Sequence, residues 1–301
     1  MVSGTRFGLK TVPAIFFDLD GVILDVAERH FRVHRDILNN IGNIVRRRLD
    51  FGRTADVTVM SEHFTEKLDE IAASMKAAGD RDLSAQYYLL GYGVKMLLPR
   101  LRGPHVLELS CGEGGMTKWL GEKFSRVTTV DGSKALIEKA RRAVTTNNVV
   151  FHCNTFEEFE PKIQFNSIIM SRTLEHIEHP VPLLQRIRRW LGAGARVFII
   201  VPNACSLNRR IGRAMGMISR LDELTERDRR VGHFRVYSKA TLEADIREAG
   251  LRAVYWDGIF LKPLSDAQVQ DWPEKLLDAF WQVGRELPEW CTEIYVECEA
   301  D

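Results

Sequence analysis

Between Val106 and Asp131 an apolar run, Val106-Leu107-Glu108-Leu109, passes directly into Ser110-Cys111-Gly112-Glu113-Gly114-Gly115, then into a helix-like stretch, then into Val127-Thr128-Thr129-Val130-Asp131. This reads as a buried strand, a glycine-rich turn, a helix and a second strand ending in an acid. Glycines at such a turn let the backbone approach a ligand where a side chain would block it, and an acid about 20 residues on is placed to accept from ribose hydroxyls. The arrangement predicts a nucleotide-type ligand at the carboxyl ends of two adjacent parallel strands.

A dinucleotide site needs a third glycine three positions after the second, and that position holds Thr117. The strand carries an acid instead, Glu108, four residues before the first glycine, which suits a ligand bearing the positive group of an amino acid. On these residues the chain resembles the class I S-adenosylmethionine-dependent methyltransferases, whose first motif runs acid-x-Gly-x-Gly-x-Gly. Glu108, Gly112 and Gly114 match it, with Ser110 at the first glycine's place. The resemblance continues in order through residues 84–260. It implies an α/β fold, a doubly wound, mostly parallel seven-stranded sheet, with S-adenosylmethionine as cofactor. It also implies cofactor contacts from Glu108, Ser110, Gly112, Gly114, Asp131, Gly132, Asn154, Thr155, Arg172 and Tyr87.

The periodicities agree. A helix is expected from Ser133, with Ala135, Leu136, Ala140 and Val144 at helical spacing; strands are expected at 149–153, 165–172 and 197–203. Between the last two, Pro182 to Leu191 is amphipathic, and Gly192 and Gly194 close it. Alternation of strand and helix predicts a parallel sheet with both faces covered. Three regions are expected: an N-terminal segment 1–50, a helical extension 51–100 and a cofactor-binding domain 101–301.

The acceptor side is expected from Thr173 to Pro180 after the fourth strand and from an insertion at 203–238 after the fifth. His176 and His233 are the candidate bases. Tyr88, Arg209, Arg213 and Tyr237 are the candidate acceptor contacts, and the arginines favour an anionic or strongly polar small molecule. The competing roles are a solvated face balanced by Asp222, Glu223 and Glu226 for the arginines, and core packing for Tyr87 and Tyr88. No metal set is expected, because His176 and His179 lack further obvious ligands.

With 42 basic and 41 acidic residues the net charge is +1, which argues against a nucleic-acid partner. No apolar stretch suits a membrane span or a signal segment, so a cytoplasmic monomer or homodimer is expected. Five scattered cysteines imply reduced thiols. One motif falls outside this scheme. Phe17-Asp18-Leu19-Asp20-Gly21 resembles the first motif of the haloacid dehalogenase phosphatases, with Asp18 and Asp20 as its nucleophile and acid/base pair, but the other motifs are absent. The principal expectation is methyl transfer to a small polar metabolite, oxygen first, then nitrogen or carbon. The alternatives are a bifunctional methyltransferase-phosphatase and a non-catalytic cofactor-binding protein.

Overall fold

The computed structural model describes residues 80–269 and 272–301, with only the backbone of 80–87 and Ala267. The dehalogenase-like motif and the expected helical residues 56–79 lie outside the described residues. Helix α1 (Asp80–Leu97) leads into a seven-stranded sheet. Its strands are β1 (His105–Leu109), β2 (Arg126–Asp131), β3 (Val149–Cys153), β4 (Phe165–Ser171), β5 (Leu191–Pro202), β6 (Leu251–Ile259) and β7 (Glu293–Ala300). The spatial order is β3-β2-β1-β4-β5-β7-β6. The pairs from β3 through β5 are parallel, and β7 runs antiparallel between β5 and β6. The order reverses between β1 and β4, where open sheets leave a crevice above their carboxyl ends.

Alternation along the strands divides the core in two. Leu107, Ile168, Met170, Val197, Ile199 and Val201 face one layer, where α4 (Pro180–Trp190) buries Leu184 and Ile187 and α7 (Lys239–Glu248) buries Leu242 and Ile246. Val106, Val127, Ile169, Phe198 and Ile200 face the other, against α1 and α2 (Gly115–Lys123). Each large apolar side chain so buried contributes about 1.5–3 kcal/mol. On that second face Tyr92 stacks on Phe260 and on Trp281 of helix α9 (Glu274–Gly284), with ring centroids 5.7 and 5.2 Å apart.

Helix α3 (Lys134–Ala143) starts where its cap requires, with the Ser133 side chain accepting from the Leu136 amide. The fifth strand begins at Leu191, six residues before the expected Val197, with an irregular register opposite Phe165 and Ser167. Gly192 and Gly194 therefore sit inside an extended segment, beyond a helix that already ends at Trp190.

The insertion after β5 carries α5 (Leu207–Ala214) and α6 (Glu226–Arg230). Its two ends meet in a parallel bridge between Asn203 and Tyr237. A short helix α8 (Asp266–Val269) follows β6, and Asp266 accepts from Arg227 of α6 (3.0 Å) and from Lys262 (2.5 Å).

Gly114 has φ +89°, and a Cβ there would lie 2.9 Å from the Ala140 Cα on α3. Because backbone cannot step aside, Gly114→Ala should cost about 1–3 kcal/mol through overpacking and left-handed strain. Urea denaturation measures it; a midpoint unchanged from the parent would refute the close approach.

Candidate active site

The turn after β1 is held from three sides. The Ser110 amide donates to the Val130 carbonyl (2.9 Å), and Ser110 itself adopts φ +66°. Asp131 accepts from the Gly112 amide (3.3 Å) through one carboxylate oxygen and from the Ser133 amide (2.9 Å) through the other. Burial raises its pKa, and these amides oppose that rise. Glu108 is buried and accepts from the Thr117 hydroxyl (2.6 Å); burial pushes its carboxyl up to about 7, with the threonine pulling the other way. Thr117, which distinguishes this turn from a dinucleotide site, thus secures the turn's own acid. The sequence offered no sign of that partnership beyond a nine-residue separation.

At Gly112, φ is +52° and nothing lies within 4 Å of an added Cβ. The glycine opens onto space rather than onto protein, as a backbone cradle for a ligand requires. The amino-acid and ribose ends of S-adenosylmethionine fit this donor set: a buried acid on β1, an open turn, and an acid at the end of β2. Gly132 is buried directly after Asp131, while Asn154 and Thr155 lie partly buried at the end of β3. Thr155 opens a turn in which its hydroxyl accepts from the Glu158 amide (3.3 Å). Tyr87 belongs to α1, and its side chain lies outside the described residues.

Above β4 and β5 the site is assembled from distant segments. The loop after β4 is tied to β1 by the Thr173 hydroxyl, which donates to the Leu109 carbonyl (3.1 Å). The segment 233–237 is zipped onto it: the Phe234 amide donates to the Glu175 carbonyl (2.9 Å), and Arg235 donates to the carbonyls of Ile177 (2.6 Å) and Glu178 (2.7 Å). This places the rings of His176 and His233 edge to face, with centroids 4.7 Å apart, across 57 residues of chain. Arg235, part of the Gly232 to Tyr237 run, joins the two histidine loops through these two carbonyls.

His176, Glu175 and Asp228 are shifted here, each with a visible cause. Burial lowers the His176 pKa to about 4, leaving the ring neutral at physiological pH. Burial raises Glu175 to about 7, although the charges of His233 and Arg172 oppose it. Asp228 accepts from the His233 ring (2.9 Å), the Thr225 amide (2.9 Å) and the Thr225 hydroxyl (2.8 Å). Those partners hold its carboxyl well below the usual range despite burial.

Several residues expected to touch a ligand have structural partners in this site. Arg172 sits at φ +53° with its guanidinium ion-paired to Glu293 on β7, away from the glycine turn. Arg209 is buried; it donates to the carbonyls of Leu221 (2.7 Å) and Glu223 and lies 3.5 Å from Asp228. Its donors shape the insertion, so the sequence-based picture of a free anion-gripping fork does not hold at this residue. Arg213 is exposed on α5. Tyr237 is buried in the core and donates to Asp245 (2.9 Å). Tyr88 packs on Phe260 with centroids 5.0 Å apart, and its buried hydroxyl has no hydrogen-bond partner among the described residues; burial and the charges of Asp266 and Glu293 raise its pKa.

The family described as a methyltransferase domain matches residues 83–255, more than half of the chain. A 72-residue segment is 36% identical to the malonyl-[acyl-carrier protein] O-methyltransferase of Priestia megaterium, covering 23% of this chain and 26% of that one. Another, of 106 residues, is 28% identical to the ubiquinone biosynthesis O-methyltransferase of Coxiella burnetii (34% and 45%). A third, of 102 residues, is 28% identical to the (S)-coclaurine N-methyltransferase of Thalictrum flavum (32% and 28%). The chain therefore spans less than half the length of each of these relatives. The fold is shared with a chain from the complex of the Haloferax volcanii Trm112 methyltransferase activator with a methyltransferase (TM-score 0.53, 19% identity, covering 77% and 98%). It is shared also with an S-adenosylmethionine-dependent methyltransferase from Mesorhizobium loti (TM-score 0.52, 18% identity, 68% and 95%). The matched region begins well after the dehalogenase-like segment at 17–21, which finds no support, whereas the glycine turn, strands β1 to β5 and the acids Glu108 and Asp131 all fall inside it. On these grounds the chain belongs to the class I S-adenosylmethionine-dependent methyltransferases.

Proposed function

We propose that this protein transfers a methyl group from S-adenosylmethionine to a hydroxyl or carboxyl oxygen of a small polar metabolite seated above the ends of β4 and β5. The observation that carries the reading is the Glu175-His176-His233 cluster, which the two zipped loops hold at the carboxyl edge of the sheet beside the glycine turn. S-adenosylmethionine, when bound, supplies an electrophilic methyl. The chain's own work is to hold it through Asp131, the glycine turn and Glu108, to seat an acceptor oxygen under the insertion 203–238, and, where the acceptor is a hydroxyl, to receive its proton. His233, oriented by Asp228 and packed edge to face on the neutral His176, suits the last task, and a positioned base contributes about 10²- to 10⁴-fold. Positioning supplies much of the remainder.

The reading is tested by offering radiolabelled S-adenosylmethionine with a panel of small hydroxy, carboxy and amino compounds. Label is expected on oxygen. His176→Ala and His233→Ala should each lower turnover at least about 100-fold while leaving cofactor affinity within about threefold, which is under 1 kcal/mol. Transfer confined to amines, or cofactor binding with no transfer to any compound, would overturn it.

A further inference from the structure

The same cluster has a property that proton transfer alone does not require. Glu175, His176 and His233 each offer one ligand atom, and these three atoms lie within 4.8 Å of one another. Glu175 is 1% exposed, yet one of its carboxylate oxygens has no hydrogen-bond partner among the described residues. A buried polar atom left unsatisfied is costly, so its retention points to an occupant. Both rings are fixed from behind: His233 is bonded through Nδ1 to Asp228 at 2.9 Å, and His176 is hydrogen-bonded to the Gly232 backbone. A second partner of this kind is what orients an imidazole toward a metal, because it sets the tautomer and leaves the other nitrogen's lone pair directed inward. Arg172, whose charge also reaches Glu175, is already neutralised by Glu293.

We propose that Glu175, His176 and His233 bind a divalent cation of borderline softness, of the zinc and cobalt type. Two imidazoles and one carboxylate are the donors such ions favour, and three protein ligands leave a coordination position open to an acceptor oxygen. Ligand atoms around such an ion sit roughly 3–3.5 Å apart, from bond lengths of about 2.0–2.2 Å, so modest side-chain rotation closes the set. The inference rests on the oxygen-acceptor reading and changes how the proton is lost: with the imidazole nitrogens committed to the ion, the cation rather than a histidine would lower the pKa of an acceptor hydroxyl at the site. It is nonetheless tested without cofactor or acceptor.

The full chain, stripped of metal, is titrated with Zn²⁺ by calorimetry and with Co²⁺ by visible absorption. One ion per chain is expected, with cobalt d–d bands that report nitrogen and oxygen ligands. Glu175→Gln, His176→Gln and His233→Gln should each weaken binding more than tenfold, Asp228→Asn should weaken it about 10- to 100-fold through the His233 ring, and His179→Gln should leave it unchanged. Circular dichroism checks that each variant is folded, and His233→Gln, on the outer loop, serves if Glu175→Gln is not. Absence of a stoichiometric ion, or binding that survives His233→Gln and Asp228→Asn, overturns the site. Metal bound by a chain that methylates no oxygen would leave this site standing and refute only the acceptor.

Discussion

Gly112→Val should abolish S-adenosylmethionine binding while leaving the fold in place. The glycine has open space where a Cβ would project, so the added isopropyl group meets no protein and instead fills the cradle. Its φ of +52° adds a strain of about 1–3 kcal/mol for a β-branched residue, which lowers the denaturation midpoint without removing the transition. Calorimetry should detect no heat of binding at ligand concentrations that saturate the parent. Asp131→Ala should act more weakly, by about 1–3 kcal/mol, because it removes one acceptor and loosens the Gly112 amide rather than blocking the space. Full affinity in the valine variant would place the cofactor elsewhere.

The second large effect is expected in the Arg172–Glu293 pair. Glu293 is almost wholly buried at the start of β7, and its partner projects from the end of β4. Removing one member alone strands the other's charge in the sheet, whereas removing both leaves a hole of modest cost. Glu293→Ala should destabilise the protein by about 3 kcal/mol, and Arg172→Met with Glu293→Leu should recover much of that loss. Equilibrium urea unfolding of the single and double variants decides it. Additive losses would show that the two residues stabilise independently.

The cofactor half of the site was legible in the chain because its chemistry is local. Glu108, Gly112, Gly114 and Asp131 fall on a strand, a turn and the next strand within 24 residues, so spacing alone fixes their proximity. Strand and helix order was legible for the same reason, since each element buries a face and repeats with its own period. The early start of β5 escaped this reading because Gly192 and Gly194 suggest a break, and only pairing with β4 extends the segment through them. The acceptor half was legible in composition but not in partnership. Arg209 looks like a ligand-gripping fork until the loop at 221–223 and Asp228 close around it, and Tyr237 looks available until Asp245 takes its hydroxyl. His176 and His233 were visible singly and Glu175 was not singled out at all, and nothing in a linear pattern sets residue 233 against residues 175 and 176. That meeting depends on Arg235 and the Phe234 amide.

The bridge between Asn203 and Tyr237 has a consequence for how such a protein diversifies. Because the insertion leaves and re-enters the sheet at neighbouring backbone positions, with the Ala204 amide donating to the Tyr237 carbonyl (2.7 Å), its length is uncoupled from strand register. Doubling a loop whose ends are already joined costs only about 0.6 kcal/mol in closure entropy. The part of the insertion ahead of Asp228 and His233, residues 204–224, is in that sense a cassette. Descendants could exchange it for longer, shorter or differently charged versions and thereby change acceptor while β1, β2 and the glycine turn keep the same methyl donor.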